Sequence, residues 1–164
     1  MIRRLRDQDF QTILYVINEA ALAYRGKIPS DCYKTPYMPQ KELEEEIKSG
    51  VQFYGYIENG EITAVMGIQP LSDVTLIRHA YTLTSHQRRG IGAKILEYLL
   101  ALAKTSCILV GTWEAACWAI RFYQNHGFQL TTRQQTNRLL RKYWNIPRRQ
   151  VETSVVLTLD RRAS

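Results

Sequence analysis

The segment Val74–Lys94, VTLIRHAYTLTSHQRRGIGAK, carries the features that most constrain the fold. Its first part, Val74–Leu83, is rich in Val, Leu, Ile and Thr and predicts a β-strand. Its second part, HQRRGIG, places two arginines before two glycines that lie two residues apart. From Ile91 onward, apolar residues recur at helical spacing. The segment therefore predicts a strand, a glycine turn and a helix in that order.

The glycine turn precedes the helix at the end that attracts anions. The first turn of a helix carries unpaired N–H groups and about half a positive charge. Gly90 and Gly92 let a ligand approach the backbone without meeting a Cβ atom. Arg88 and Arg89 add two full positive charges. The expected ligand is a phosphate or pyrophosphate group.

The two best-known glycine motifs for phosphate binding differ from this turn. The spacing is G-x-G rather than G-x-G-x-x-G, which does not favour a Rossmann dinucleotide site. The G-x-x-x-x-G-K-[ST] phosphate loop is absent from the sequence. On its own, a G-x-G at the start of a helix is more often a structural turn than a binding site.

Strands and helices are predicted along the rest of the chain as well. The predicted strands are Ile2–Arg6, Val51–Glu58, Glu61–Gln69, Val74–Leu83, Ile108–Trp113, Phe128–Thr131 and Val151–Leu159. The predicted helices are Phe10–Ala21, Lys41–Ser49, one that begins at Ile91, Ala115–His126 and Thr136–Trp144. Asn59-Gly60 predicts a two-residue hairpin turn, and the proline-rich residues 25–40 predict a long loop.

The order of these elements predicts the fold class. It contains one hairpin and one strand–helix–strand crossover, which joins parallel strands. We therefore expect a single domain over residues 1–164, of the α/β (mixed α+β) class, with three layers and a mixed sheet.

Two short motifs carry a resemblance to a known family. Gln87–Gly92, QRRGIG, resembles the Q/R-x-x-G-x-G/A motif of the GNAT N-acetyltransferase superfamily. Ala119–Phe128, AIRFYQNHGF, is similar to that family's A-x-x-F-Y-x-x-x-G-F segment. The motifs occur in the family's order and on the expected elements. One position departs from the pattern, because Ala116 stands where many members have an asparagine that contacts the pantetheine arm.

The resemblance implies a three-layer acyl-CoA N-acyltransferase fold and a place for its co-substrate. In that fold a mostly antiparallel sheet contains one splayed pair of parallel strands, and acetyl-CoA lies in the cleft between them. No metal is implied. The residues expected to contact acetyl-CoA lie on the strand, the glycine turn and the second motif: Tyr81, Thr82, Leu83, Gln87, Arg88, Arg89, Gly90, Ile91, Gly92, Ala93, Lys94, Phe122 and Tyr123.

The implied reaction is direct acetyl transfer to an amine that has first lost a proton. Tyr123 occupies the family's general-acid position, where a phenol can donate a proton to the leaving thiolate. The general base is open between His79, Glu114 and a water chain. Strand alternation sends Arg78 and His79 to opposite faces, and a bulge would change that phase.

The acceptor site of the family is usually built by the first two helices, the loop between them and the last strands. Tyr24, Arg25 and Tyr33 lie in this region, and Arg78 lies on a neighbouring strand. We expect these four residues to contact the substrate. An arginine would suit a carboxylate, whereas the acids of Lys41–Ser49 would attract a cationic amine or simply face solvent. Both an amine-bearing small molecule and a peptide remain open.

Two other functions are weighed against acetyl transfer. The segment Thr136–Arg149, TNRLLRKYWNIPRR, interleaves basic and aromatic residues, as nucleic-acid-binding segments do. We instead expect it to pack on the domain or to form a wall of the acceptor site, so nucleic acid is not the expected partner. The other alternative is a GNAT domain that binds acyl-CoA without turnover.

Composition sets the remaining limits. The 164-residue chain is 45% hydrophobic and 23% charged, and its formal net charge of +7 suggests an anionic partner. No apolar run approaches the ~20 residues of a membrane helix, and MIRRLRDQDF does not resemble a signal peptide. We therefore expect a cytoplasmic protein with no membrane partner. Three cysteines and three histidines show no metal-ligand spacing. The sequence leaves a homodimer open.

Overall fold

Seven strands form one sheet in the computed structural model, which describes residues 1–163. They are β1 (Ile2–Arg4), β2 (Gln52–Glu58), β3 (Glu61–Pro70), β4 (Thr75–Thr82), β5 (Cys107–Trp113), β6 (Gln129–Leu130) and β7 (Ser154–Asp160). Their order in the sheet is β1-β2-β3-β4-β5-β7-β6. Every neighbouring pair is antiparallel except β4 and β5, which are parallel. The predicted mixed, mostly antiparallel sheet is confirmed.

Six α-helices connect and cover the strands. They are α1 (Phe10–Ala20), α2 (Gln40–Lys48), α3 (Ile91–Leu102), α4 (Cys117–Asn125), α5 (Arg133–Tyr143) and α6 (Arg148–Glu152). A short 3-10 helix, Ala21–Tyr24, follows α1. Within residues 1–163, no helix combines the length and the apolar character needed to cross a bilayer.

The helices lie in two layers on opposite faces of the sheet. On one face, Ile17 of α1 and Leu43 of α2 pack with Val65 of β3 in one buried cluster. Leu140 of α5 packs on the same sheet in a separate cluster with residues of β4, β5 and β7. On the other face, α3 and α4 share the largest cluster, which contains Leu96 and Tyr123. The predicted three-layer arrangement follows from these contacts.

The parallel strands β4 and β5 pair along only part of their length. The ladder runs from Thr75, opposite Ile108, to Ile77, opposite Val110. Both strands continue beyond these residues, β4 to Thr82 and β5 to Trp113. The two strands therefore separate toward their carboxyl ends and leave a gap in the sheet.

A bulge interrupts β4 where this gap begins. Gly67 of β3 lies opposite Arg78 and Val65 lies opposite Tyr81, so one residue of β3 spans two residues of β4. His79 has a φ of +54°, in the left-handed region that non-glycine residues rarely adopt. An extra residue in one strand changes the phase of side-chain alternation. Arg78 and His79 consequently contact the same carboxylate, and the expectation that they face opposite sides is wrong.

The chain between β6 and β7 contains one helix more than the sequence predicted. Helix α5 begins at Arg133 because Thr132 caps it, accepting a hydrogen bond from the Gln135 N–H. Helix α5 ends at Tyr143, and Pro147 then immediately precedes α6. The Val151 N–H donates to the Pro147 carbonyl at 3.1 Å. The last strand therefore begins at Ser154 rather than at Val151.

Candidate active site

A cavity of about 680 Å³ lies beside the end of β4 and the start of α3, and we call it the α3 cavity. The end of β4, the glycine turn, the first turn of α3 and one side of α4 line it. The residues after α1 close it on the far side, with Lys27 at one wall. The position matches the gap between β4 and β5, so a ligand there can lie alongside the free edge of β4.

The glycine turn has the geometry of an anion site built from the backbone. Gly90 has a φ of +76° and precedes α3, which has no side-chain cap. A Cβ atom at Gly90 would meet nothing within 4 Å, so the positive φ rather than crowding accounts for the glycine. The Lys94 N–H donates to the Gly90 carbonyl as the first helical bond. The N–H groups of Ile91, Gly92 and Ala93 therefore precede the first helical bond and are available to a ligand.

Ten of the thirteen predicted co-substrate residues line the α3 cavity. They are Tyr81, Thr82, Gln87, Arg88, Gly90, Ile91, Gly92, Ala93, Phe122 and Tyr123. The other three lie outside the lining. Leu83 packs against the α1–α2 cluster, Arg89 lies 3.6 Å from a Glu58 carboxylate oxygen, and the Lys94 ammonium lies 5.7 Å from the Tyr56 ring centroid.

A second cavity, of about 210 Å³, lies against the face of the sheet that carries α2, and we call it the α2 cavity. Strands β4 and β5 form its floor, with Arg78 and His79 on one side and Trp113 on the other. Helix α2 contributes Glu46, and the chain between α5 and α6 contributes Trp144. The basic segment that might have bound nucleic acid therefore forms a wall of this cavity.

The two cavities meet at the gap between β4 and β5. Five residues line both of them: Tyr24, Ala80, Tyr81, Ala119 and Tyr123. A ligand in one cavity can therefore reach a ligand in the other beside the Tyr123 side chain, which is only 5% exposed. Burial raises the pKa of Tyr123 well above the ordinary tyrosine value. Its hydroxyl group consequently remains protonated at neutral pH.

Tyrosine hydroxyl groups cluster where the cavities meet. The Trp113 indole N–H donates to the Tyr37 hydroxyl group at 2.6 Å. The Tyr24 ring centroid lies 5.3 Å from that of Tyr37 and 6.2 Å from that of Tyr81. Burial raises the pKa of all three tyrosines. They therefore form an uncharged polar wall that can donate and accept hydrogen bonds.

Glu46 joins the two adjacent side chains of the bulge. Its Oε2 atom lies 2.9 Å from Arg78 Nη1 and 3.3 Å from His79 Nε2. The Arg78 guanidinium donates a further hydrogen bond to Glu46 Oε1 at 3.2 Å. The positive charge of Arg78, which the sequence suggested for a substrate carboxylate, is thus already balanced by a carboxylate of the protein.

The remaining predicted site residues lie farther from the cavities. Tyr33 and Arg25 lie outside both linings, and the Arg25 guanidinium lies 5.7 Å from the Tyr33 ring centroid. Glu114, the second candidate base, is also outside both linings. Its side chain is 63% exposed and lies 3.4 Å from the Arg133 guanidinium. The structure therefore leaves His79 as the candidate base that lines a cavity.

Glu46 and Trp144 are site residues that sequence reasoning did not single out. From the sequence, Glu46 is one of four acids of α2 that would attract a cationic amine or simply face solvent. It lies three residues after Leu43 and one before Ile47, the two apolar residues of α2. Residues three and four apart share a helix face, so this spacing could have identified it. The sequence predicts that the segment containing Trp144 packs on the domain but does not predict its contact. The structure places this ring over Gly111 of β5, within 3.3 Å of an added Cβ atom.

Comparison with known proteins agrees with this fold. A family model described as an acetyltransferase (GNAT) domain matches residues 49–130. A PaiA N-acetyltransferase from Thermoplasma acidophilum, solved with coenzyme A, is 13% identical, with a TM-score of 0.75 and 98% of each chain covered. The ribosomal-protein-S18-alanine N-acetyltransferase of Escherichia coli is 16% identical, with a TM-score of 0.70, over 98% of this chain and 92% of that one.

A further similar structure holds a bound donor. A GNAT family acetyltransferase from Elizabethkingia anophelis with acetyl-CoA bound is 18% identical, with a TM-score of 0.63. The alignment covers 98% of this chain and 97% of that chain. At these identities the structural matches establish the fold, and the family model over half of the chain establishes the family.

Proposed function

The chain belongs to the GNAT acetyltransferase family, and we propose that it transfers the acetyl group of acetyl-CoA directly to a primary amine of a small molecule or peptide. One observation carries this proposal: the α3 cavity and the α2 cavity meet at Tyr123. A two-substrate transfer without a covalent enzyme intermediate needs such a junction, because donor and acceptor must touch. Tyr123 then lies beside the reacting atoms.

The α3 cavity is the proposed site for acetyl-CoA. The N–H groups of Ile91, Gly92 and Ala93 would bind the pyrophosphate at the start of α3. Arg88, which lines the cavity, would add a positive charge. The free edge of β4 at Tyr81 and Thr82 would run along the pantetheine arm. Similar structures that contain coenzyme A or acetyl-CoA support this donor.

Tyr123 is the proposed general acid. Acetyl-CoA supplies an activated acyl group, and its thiol must leave as the group is transferred. A free thiol has an ordinary pKa of about 8.5 by analogy with cysteine, so its thiolate readily accepts a proton. The raised pKa of Tyr123 keeps a proton available for that transfer at neutral pH. The Tyr123 hydroxyl group would therefore donate the proton at the junction of the two cavities.

His79 is the proposed general base. A primary ammonium has an ordinary pKa near ~10.4, so it needs to lose a proton before it can attack. His79 lines the α2 cavity, where we place the acceptor amine. Imidazole is the side chain best suited to proton transfer near neutral pH. Glu114 is not part of this proposal, because it faces solvent and binds Arg133.

The basic segment between β6 and β7 does not favour nucleic-acid binding. Arg149 lies 2.8 Å from Asp31, and Arg148 lies 3.1 Å from Glu152. Lys142 lies 3.9 Å from Asp73. These pairs neutralise much of the positive charge that phosphates would need. The packing of Trp144 into the α2 cavity supports a substrate wall instead.

Calorimetry with acetyl-CoA tests the donor site. The test compares substitutions at two glycines that have similar φ values. Gly90 and Gly60 have φ values of +76° and +78°, and an added Cβ atom at either meets nothing within 4 Å. Gly90→Glu and Gly60→Glu therefore introduce the same strain and the same charge. Gly90→Glu should raise the Kd at least tenfold, equivalent to about 1.4 kcal/mol. Gly60→Glu, in the hairpin turn, should leave the Kd unchanged.

A panel of amines tests turnover. Wild-type protein with acetyl-CoA should release free thiol faster in the presence of at least one primary amine than in its absence. The absence of acetyl-CoA binding by the wild type would refute the proposal. Tight binding with no thiol release over a broad panel would instead identify an acyl-CoA-binding domain without turnover.

A further inference from the structure

We propose that Glu46 is a positioning residue that orients the His79 imidazole for proton transfer from the acceptor amine. The inference rests on the proposed function, because His79 acts as a base only if an amine is acetylated. It adds Glu46 of α2 to the residues that take part in the reaction. Three features of the structure carry the argument: the contact itself, the anchoring of the carboxylate and the backbone of the bulge.

The contact between Glu46 and His79 is buried on both sides. Their side chains are 17% and 16% exposed, and Glu46 Oε2 and His79 Nε2 are shielded from solvent. The two atoms lie 3.3 Å apart, and neither makes a hydrogen bond of good geometry in this arrangement. An ionised carboxylate only accepts hydrogen bonds. A neutral His79 beside it is therefore most stable with its proton on Nε2, directed at Glu46. Nδ1 is then the nitrogen that keeps a lone pair and can accept a proton.

Arg78 anchors the carboxylate in this position. Its guanidinium donates to Glu46 Oε1 at 3.2 Å and to Gln69 Oε1 at 3.3 Å, and it lies 2.9 Å from Glu46 Oε2. Burial alone would raise the pKa of Glu46, but the interactions with His79 and Arg78 outweigh burial and hold that pKa below its ordinary value. Glu46 therefore remains negative at neutral pH, as an orienting group must be.

The backbone and one aromatic ring restrict His79 further. The left-handed conformation of His79 is costly for a residue with a side chain, so the surrounding structure must impose it. Its imidazole stacks on Phe53, with ring centroids 5.9 Å apart and an interplanar angle of 27°. Phe53 is only 3% exposed and is held in the core. The ring is therefore held by packing and by Glu46 together.

The proton balance of the step is simple. The N–H bond of the acceptor ammonium breaks, and its electron pair stays on nitrogen as the lone pair that attacks. The proton moves to His79 Nδ1, which makes the imidazole an imidazolium. The negative charge of Glu46, whose Oε2 atom lies 3.3 Å from Nε2, stabilises that cation. The proton then passes from His79 to water, and the resting tautomer returns.

Nitrogen NMR of the histidine rings tests this tautomer without any need for activity. Protein labelled with ¹⁵N-histidine is measured at about pH 9, where histidines are ordinarily neutral. His79→Gln assigns the His79 signals among those of the three histidines. The wild type should show a single tautomer with the proton on Nε2. Glu46→Gln, which keeps the size but removes the charge, should shift the population toward the other tautomer.

Kinetics on the same proteins separates positioning from folding. Glu46→Gln should lower kcat at least about tenfold, as loss of a residue that orients a reacting group typically does, with the Kd for acetyl-CoA unchanged. Glu46→Asp keeps the charge and should recover part of the loss. Glu45→Gln, one residue away on the exposed side of α2, is the matched control and should behave as the wild type.

The results distinguish this inference from the proposed function. A wild-type His79 that carries its proton on Nδ1 overturns the inference, as does a Glu46→Gln variant with unchanged tautomer and kcat. A Glu46→Asp variant no more active than Glu46→Gln also contradicts it. If no amine is acetylated, the proposed function fails, and the NMR result alone then decides whether Glu46 orients His79.

Discussion

Arg78 and His79 are consecutive residues of one strand, yet both side chains contact the same carboxylate oxygen of Glu46, at 2.9 and 3.3 Å. Regular strand geometry would place them on opposite faces of the sheet. The bulge opposite Met66 and the positive φ of His79 remove that alternation. The same bulge lies just beyond Ile77, the last residue of β4 that pairs with β5, so one backbone irregularity adjoins both the proposed base and the proposed donor site.

The bulge should be intolerant of a side chain at Gly67. A Cβ atom there would lie 2.8 Å from Val51 Cγ1 and 2.9 Å from the Arg78 carbonyl oxygen, which is backbone. We expect Gly67→Ala to lower the free energy of unfolding by about 2–3 kcal/mol, as overpacking does, in urea titrations. Gly55→Ala is the matched control on β2, because the atoms nearest to its Cβ would be side-chain atoms of Leu5, the first at 2.9 Å. Equal losses for the two variants would contradict this account.

Removing the Tyr123 hydroxyl group should slow the release of thiol without weakening donor binding. We expect Tyr123→Phe to lower kcat by about 10²-fold, the lower range for loss of a general acid. The Kd for acetyl-CoA, measured by calorimetry, should stay within about twofold because the ring remains in place. Tyr98→Phe, at an exposed tyrosine of α3, is the control. A Tyr123→Phe variant with wild-type kcat would remove Tyr123 from the mechanism.

The buried tyrosines should make the protein sensitive to alkali. Burial raises the pKa of Tyr24, Tyr37, Tyr81 and Tyr123 in the folded state. Above about pH 10, unfolded tyrosines lose protons that the folded protein keeps, so stability falls as pH rises. Each such tyrosine should contribute a slope of about 1.4 kcal/mol per pH unit.

Urea unfolding between about pH 10 and pH 11 measures this slope. Tyr123→Phe should reduce the slope of the free energy of unfolding against pH by the contribution of one tyrosine. Tyr15→Phe, whose ring is 61% exposed, should leave the slope as in the wild type. Identical slopes in all three proteins would show that burial of Tyr123 does not affect its ionisation.

Substitution of two tryptophans should affect acceptor binding and donor binding separately. Trp144 lines only the α2 cavity and Trp118 lines only the α3 cavity. We expect Trp144→Ala to raise the KM for the amine at least about tenfold, because a half-buried aromatic wall contributes about 1.4 kcal/mol or more to binding. The Kd for acetyl-CoA should not change. Trp118→Ala should raise the Kd for acetyl-CoA and leave the KM for the amine unchanged. If both variants change the same constant, the separation of donor and acceptor sites is refuted.

Much of the site's donor half could be read from local sequence. Gly90 at a helix start indicates a positive φ and free N–H groups, since these depend on residues that are close together in the chain. Strand and helix positions were also predictable, because the period of the apolar residues depends on local geometry. The segment around α6 was missed because a proline can end one helix and precede the next.

The acceptor half depends on contacts between distant parts of the chain. Glu46 and His79 are separated by 33 positions in the numbering, and Tyr37 and Trp113 by 76. The spacing from Leu43 and Ile47 places Glu46 on the apolar side of α2, but no local pattern specifies what it contacts there. Packing of α2 on the sheet decides it, because only there does a buried carboxylate find two nitrogen partners.

By itself, the sequence determined the family and the mixed sheet with three layers, and it predicted a backbone anion site at Gln87–Gly92. These follow from spacing and from the conformational freedom of glycine, which are properties of short segments. Tertiary structure alone decided that β4 bulges at His79, that Arg78 and His79 share Glu46, and that Trp144 closes the α2 cavity. The physical reason is that burial and pairing of charges depend on surfaces that meet only after folding.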